Sequence, residues 1–285
     1  MTSNDVTRVI SKTLGVSKVG HTGTLDPGAA GVLPICLGKA TRVADYLLSD
    51  DKTYRCEMNL GVETDTLDAY GTIISQSTNY PNESAIMAVL SEFLGDISQT
   101  PPAYSALKID GDKLYDLARK GIIPEIMSRT VTIKRIEIVN YTAPKRLMIE
   151  VDCSKGTYIR SLCKDIGRRL GCGAYMAFLL RISSGEFILE NSHTLDEIKD
   201  SMASSLVQNL VIPMEEALNQ FEKVIISNNA YTKAINGNPI AYEEIQSVYN
   251  LNLTGLKRIF CGSKFVGVGR IIPESKIVVM EKVLV

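Results

Sequence analysis

Only two histidines, His21 and His193, occur in this 285-residue chain, and its six cysteines (Cys36, Cys56, Cys153, Cys163, Cys172, Cys261) include no C-x-x-C pair. Zinc sites need Cys and His clustered at short spacing, so no metal site is expected, and the thiols read as mostly buried and reduced. Long apolar runs are also missing. No segment approaches the roughly twenty apolar residues of a membrane span, and the opening MTSNDVTRVISKTLG is too polar for a signal peptide. A cytoplasmic protein without a membrane partner is the expectation. The net charge of −1 argues against a protein that coats nucleic acid indiscriminately.

What is present describes a globular chain with a real core, 45% hydrophobic and 22% charged, long enough for two domains. Charge is uneven along it. Residues 104–146 hold nine Lys or Arg against five Asp or Glu, 152–181 six against two, and 196–223 two against six. Local basic faces on a neutral protein suit a partner bound in one place, although solvated faces account for any single cluster.

Periodicity predicts a helix from a Thr2 or Ser3 cap to Leu14 with Gly15 as its stop, and a short helix near 41–48. A strand is predicted over 52–62. A helix capped by Ser84 would bury Ile86, Met87, Val89, Leu90, Phe93 and Leu94 and end at Gly95. RLMIEVDC alternates as a half-buried strand, and a helix follows from Tyr158 to Leu170. Past residue 223 short β-like runs predict a small β-rich domain, 224–285. Strands and helices mix without regular βα alternation, so the fold class is α+β.

Residues 20–42, GHTGTLDPGAAGVLPICLGKATR, set four glycines (Gly20, Gly23, Gly28, Gly31) around one carboxylate, Asp26. Pro27 pushes Asp26 out of the helical region, and glycine lets other groups approach the backbone closely. On these residues alone an ordinary Asp-Pro-Gly turn is the simpler account. The neighbouring GVLPICLGKAT has the wrong glycine spacing for a phosphate loop. VETDTLDAYG lacks the alternating ligands of a calcium loop. No G-x-S-x-G serine accompanies either histidine. A carboxylate in such a setting acts as nucleophile or general base, and it must stay ionised while shielded from water, which a nearby arginine achieves. Arg160, at the start of a helix, is a candidate, with a surface ion pair as its plainer role. Tyr54, between Lys52 and Arg55, could stack on an extruded base or simply pack in a sheet.

Five stretches appear in order: KVGHTGTLDPGAAGVLPICLGKATR, DKTYR, GVETDTLDAYG, QTPPAYSALKIDGDKLYDLARKG and CSKGTYIRSLCKDIGRRLGCGAY. Together they resemble the bacterial tRNA pseudouridine synthase B family, over a span reaching about residue 190. The resemblance implies a pseudouridine synthase fold, a mixed and largely antiparallel sheet flanked by helices and loops. It implies a catalytic domain over 1–220 with an insertion near 99–128, and a PUA-like RNA-binding domain over 224–285. It implies an isomerase that converts the T-loop uridine of tRNA, conventionally numbered 55, to pseudouridine after base flipping. No cofactor and no protein partner are implied, and a monomer is expected. Asp26 falls on the catalytic aspartate, Tyr54 on the tyrosine that stacks on the target base, and Arg160 on the arginine that pairs with the aspartate. His21, Gly23, Leu25, Lys108, Lys113, Arg119 and Tyr158 fall among residues expected to bind substrate, with Lys120 a further phosphate contact. Two departures stand out. Family members carry a further strand and a Lys-Pro-Gly turn ahead of the point where this chain begins, so the start is expected to be truncated or misassigned, or the sheet to lack an edge strand. Leu180 stands where a second arginine is common, which predicts a missing contact. The competing expectations are a tRNA-folding chaperone that opens the T-loop, and a relative guided by a separate RNA.

Overall fold

The computed structural model describes residues 1–48, 51–105, 107–109, 111–122, 124–203, 206–248 and 254–285. The chain divides into two compact units, one of Met1–Ser3, Thr24–Pro34 and Ser49–Ser192, the other of Asn4–Gly23, Ile35–Leu48 and His193–Val285.

The first unit is built on a seven-stranded sheet. Its strands run in the order Phe187–Ile188, Ala174–Ser184, Lys52–Leu60, Arg146–Cys153, Arg129–Thr142, Gly95–Gln99, all antiparallel to their neighbours. Ala30–Gly31 adds in parallel beside Ala174–Ser184. Period-two patterning explains the central strands, since Leu147, Ile149, Val151 and Cys153 are all fully buried as successive same-face residues of a strand should be. They lie opposite Met58, Cys56, Tyr54 and Lys52. Helix Ile159–Arg169 covers this face, burying Leu162, Cys163 and Ile166 against it. On the other face Arg135 ties together Glu150 at 2.7 Å and Asp152 at 2.8 Å, and Arg55 joins Glu150 at 2.8 Å.

Two details differ from the sequence reading. The helix expected from a Ser84 cap is Glu83–Ser91, and its cap is Asn82, whose side chain accepts from the Ala85 N–H at 2.9 Å. Ile86 and Leu90 are buried as expected, but Met87 is 60% exposed and Leu94 lies outside the helix. One face of a nine-residue helix, about two and a half turns, is enough here. The strand expected over 52–62 breaks at Gly61, where φ is +85°, and resumes as Val62–Thr64 paired with Ile73–Gln76.

The second unit contains, from Asn4 onward, the helix Ser3–Leu14, which ends before Gly15 (φ +66°) as expected, and the strand pair Val19–His21 with Ile35–Leu37. Its larger part is a six-stranded sheet ordered Ile240–Ala241, Ile277–Val283, Lys264–Ile272, Leu256–Cys261, Glu222–Ile226, Ile245–Val248. Val224, Ile226, Ile259, Val266 and Val278 form its core, each fully buried. The short β-like runs past residue 223 are these strands. No helix among the described residues is long and apolar enough to cross a membrane.

Candidate active site

The first unit brings Asp26 and Arg160 together across 134 residues of sequence. Arg160 donates from Nε to Asp26 Oδ2 at 2.7 Å and from Nη2 to Asp26 Oδ1 at 3.0 Å, the two-pronged fit that planar guanidinium and carboxylate groups allow. Nη1 donates to the Thr66 carbonyl at 3.2 Å, and Nη2 to the Tyr104 carbonyl at 2.9 Å. The Asp68 carboxylate stands 3.8 Å away. Arg160 is 4% exposed; a guanidinium this buried needs such partners. It also sits in the first turn of a helix, where the helix dipole disfavours a cation, so the two carboxylates and two carbonyls offset an unfavourable position.

Local structure fixes both halves of the pair. Gln99, fully buried, accepts from the Tyr158 N–H at 2.8 Å and donates to the Tyr158 carbonyl at 3.1 Å. Tyr158 is the residue before the helix, so this clamp sets where the helix starts. Ser161 Oγ adds a bond to the Thr100 carbonyl at 2.8 Å. On the other side, Leu25 donates its N–H to Ser3 Oγ at 2.9 Å, and the Ala29 N–H closes a turn onto the Asp26 carbonyl at 2.9 Å. Leu67 adopts a left-handed backbone, φ +65°, rare for a branched apolar residue. It separates the two residues that reach Arg160, presenting the Thr66 carbonyl and the Asp68 carboxylate together. Strain of this kind concentrates at functional sites.

The glycines of the loop have particular duties. At Gly28 an added Cβ would overlap the Tyr70 ring, and at Gly31, with φ +106°, it would overlap the Arg181 backbone. The second contact is a docking point: the Val32 N–H donates to the Arg181 carbonyl at 2.9 Å, and Arg181 Nε donates back to the Val32 carbonyl at 2.6 Å. Arg181 is 1% exposed, lies opposite Tyr54 in the sheet, and hydrogen-bonds the Tyr54 phenol. Burial pushes that phenol above its ordinary range, while the Arg181 guanidinium pulls against the rise.

The arrangement offers a nucleophilic or basic carboxylate held in a defined plane, a neutral phenol beside it and a second buried guanidinium behind that phenol. Residues 11–159 match the family model for the N-terminal domain of TruB family pseudouridylate synthase. Residues 160–219 match the model for the C-terminal domain of tRNA pseudouridylate synthase B. The chain belongs to the TruB family of pseudouridylate synthases. Asp26 lies within the first matched segment and Arg160 opens the second, so the ion pair joins the two. The tRNA pseudouridine synthase B of Alkaliphilus oremlandii is 44% identical over 269 residues, covering 94% of this chain and 89% of that protein. That of Clostridioides difficile is 42% identical over 274 residues, covering 95% and 91%. Among solved structures, a Cbf5–Nop10–Gar1 complex matches with a TM-score of 0.77 at 30% identity, over 100% of this chain and 82% of that one. An H/ACA RNP bound to a substrate RNA containing 2'-deoxyuridine matches with a TM-score of 0.76 at 28% identity, over 100% and 82%. The fold is that of pseudouridine synthases, with a PUA-like C-terminal domain.

Within this TruB-family protein the structure gathers Asp26, Arg160 and Tyr54 in the first unit, with Leu25 and Tyr158 supporting the loop and the helix. Arg129 lies over the Tyr158 ring at 4.8 Å. His21, on strand Val19–His21, and Gly23 lie in the second unit. Lys108 and Lys113 belong to the short strands Lys108–Ile109 and Asp112–Lys113, and Arg119 to helix Leu114–Arg119; the side chains of these three lie outside the described residues. Lys120 is exposed. Sequence reasoning missed Asp68, Gln99, Tyr104 and Arg181. Tyr104 contributes a backbone carbonyl, which no side-chain pattern reveals. It looked for a second arginine at 180 and found Leu180, whereas Arg181, one residue on, is the arginine that meets Tyr54.

Proposed function

We propose that this chain is a tRNA pseudouridine synthase that isomerises the T-loop uridine at position 55, with Asp26 as the nucleophile. The observation that carries the reading is the two-pronged Asp26–Arg160 pair on a loop docked beside Tyr54. Isomerisation breaks the bond from N1 of uracil to C1' of ribose and makes one from C5 to C1'. The C5 proton leaves and N1 gains a proton, so electrons balance without an oxidant or reductant. Asp26 supplies the oxygen that forms the covalent intermediate. Arg160 holds that carboxylate in one orientation and compensates its charge in a partly dry site, where such preorganised electrostatics act strongly. Tyr54 stacks on the uracil, and its phenol, neutral near pH 7 as phenols are, stands near the C5 proton to be removed. A base in a folded loop is out of reach until it is extruded, at a cost of a few kcal/mol, and a glycine loop lets Asp26 approach it closely.

The substrate inferred is the T-arm of tRNA, bound by a monomer without a required protein partner. The catalytic domain would span about 1–220, with residues 99–128 closing over RNA and Lys108, Lys113 and Arg119 on phosphates, which position RNA without reading it. His21, Gly23, Leu25 and Tyr158 would complete the substrate contacts, and 224–285 would bind RNA as a PUA-like module. The relatives named tRNA pseudouridine synthase B support the substrate class. The test is tritium release from T-arm RNA labelled at C5 of uridine, comparing wild type with Asp26→Asn. Release from one T-loop uridine by wild type, and none from a folded Asp26→Asn that still binds RNA, is expected. A wild type that binds T-arm RNA without releasing tritium would instead support a chaperone that opens the loop.

A further inference from the structure

We propose that Tyr70 is a stacking subsite for a nucleobase next to the target uridine, at the rim of the Asp26 loop; this rests on the RNA substrate inferred above. Tyr70 is 79% exposed, yet its backbone is tightly placed. Its N–H donates to Asp68 Oδ1 at 3.0 Å, and Thr66 Oγ1 donates to the same oxygen at 2.6 Å. The other oxygen of that carboxylate is the one facing Arg160 at 3.8 Å. Through Asp68, the segment bearing Tyr70 is therefore tied to the Asp26–Arg160 pair.

The ring itself lies against Gly28, two residues beyond Asp26, so closely that any Cβ at 28 would overlap it. One part of an aromatic ring is thus held on the catalytic loop while most of its surface meets water. Folding explains the glycine contact but not the exposure, because a tyrosine usually covers its ring and leaves only the hydroxyl wet. A flat, solvated π surface with two side-chain torsions is suited to receive another flat π system. Extruding one uridine from a loop removes a stacking partner from the base beside it, and a ring at the loop rim can replace that partner. The chemical class of ligand is therefore an unpaired nucleobase flanking the extruded one. Tyr70 touches substrate in this proposal and takes no part in bond making.

The experiment uses T-arm RNA in which each base flanking the target uridine is replaced, one at a time, by an abasic site. Dissociation constants are measured on full-length protein carrying Asp26→Asn, so that no turnover intervenes. With Tyr70 present, one abasic replacement weakens binding about tenfold, within the range stacking on an aromatic side chain provides. With Tyr70→Ala added, that abasic RNA and the intact RNA bind alike. Equal loss on every RNA, or no loss, overturns the proposal. Because the chain has no tryptophan, Tyr70→Trp supplies a second measurement with a single indole, excited selectively over the remaining tyrosines. Its emission is quenched by intact T-arm and much less by the abasic RNA; emission unchanged at saturating RNA would count against the subsite equally. If wild type neither binds nor converts T-arm RNA, the functional reading itself fails, and the subsite with it.

Discussion

Gln99→Glu is a one-atom change that places the Arg160 helix under pH control. In the native chain the Gln99 amide both accepts from the Tyr158 N–H and donates to the Tyr158 carbonyl, at 2.8 and 3.1 Å, with no exposure to solvent. An ionised glutamate keeps the acceptor but loses the donor, and sets a carboxylate oxygen against a carbonyl oxygen. One lost bond with its carbonyl left unsatisfied costs about 1–3 kcal/mol. Full burial and the facing Tyr158 carbonyl raise the glutamate's folded pKa above its unfolded value near 4.3, against the pull of Arg129, which lies opposite residue 99 in the sheet with its guanidinium over the Tyr158 ring. The sign follows from linkage: the protonated acid restores the donor, so the variant approaches wild-type stability below about pH 4.3 and loses it as pH rises through the folded pKa. At pH 8 a total loss of about 3 kcal/mol corresponds to a melting shift of about 6–12 °C for a unit of this size. Displacement of the helix start by about 1 Å moves the Arg160 guanidinium and is worth about a hundredfold in kcat. Melting temperature and tritium release, both followed from pH 5 to 8, read the two effects. A Gln99→Glu protein that matches wild type in stability and activity across that range would refute the role assigned to the clamp.

Gly31→Ala should destabilise the protein by about 1–3 kcal/mol, because φ is +106° and the new Cβ meets the Arg181 backbone; denaturant unfolding measures this, and a neutral result would remove the docking contact from the account. Arg135→Met tests the exposed-face network. Hydrogen bonds from Arg135 and Arg55 hold Glu150 below the usual carboxylate range, and Asp152 stays low because bonds from Arg135 and Thr53 outweigh its burial. Depressed carboxylates stabilise above their unfolded pKa, so the variant should lose about 1 kcal/mol at pH 7 and converge on wild type as falling pH protonates the two carboxylates in the native protein. Thiol labelling at pH 8 should modify Cys261, which is partly exposed, and spare the five buried cysteines. Burial raises Cys36 to about 11 and Cys153 to about 12, leaving little thiolate to react, so rapid labelling of either would contradict the described core.

The sequence is most legible where one rule decides. Alternation in RLMIEVDC places four residues on the core face, and all four are buried. Gly15 stops its helix in the left-handed region as glycine does. Asp26, Tyr54 and Arg160 were legible through their motifs, and the sheet brings them into one unit. Asn82 was overlooked as a cap because Ser84 is an equally good capping residue by type, and only the backbone turn chooses between them. Asp68 was read as part of a failed calcium loop, since nothing local says that a left-handed Leu67 turns it toward an arginine 92 residues later. Gln99 and Tyr104 act through or upon backbone groups, which carry no residue signature. Arg181 is distinguished from a surface arginine only by strand register, and register is a property of the assembled sheet.

The crowding around Arg160 also bears on ionic strength. Four of its N–H groups are hydrogen-bonded within the protein, and the remaining one, on Nη1, faces Asp68. It therefore has no donor left for a phosphate and releases no counterion when a polyanion binds. The slope of log affinity against log salt should be the same for wild type and for a folded Arg160→Lys, however far their turnover differs, whereas neutralising a lysine that meets phosphate should lower the slope by about one. Gripping the polyanion and holding the Asp26 carboxylate are thus tasks for different cations, and a simple salt titration can tell one kind from the other.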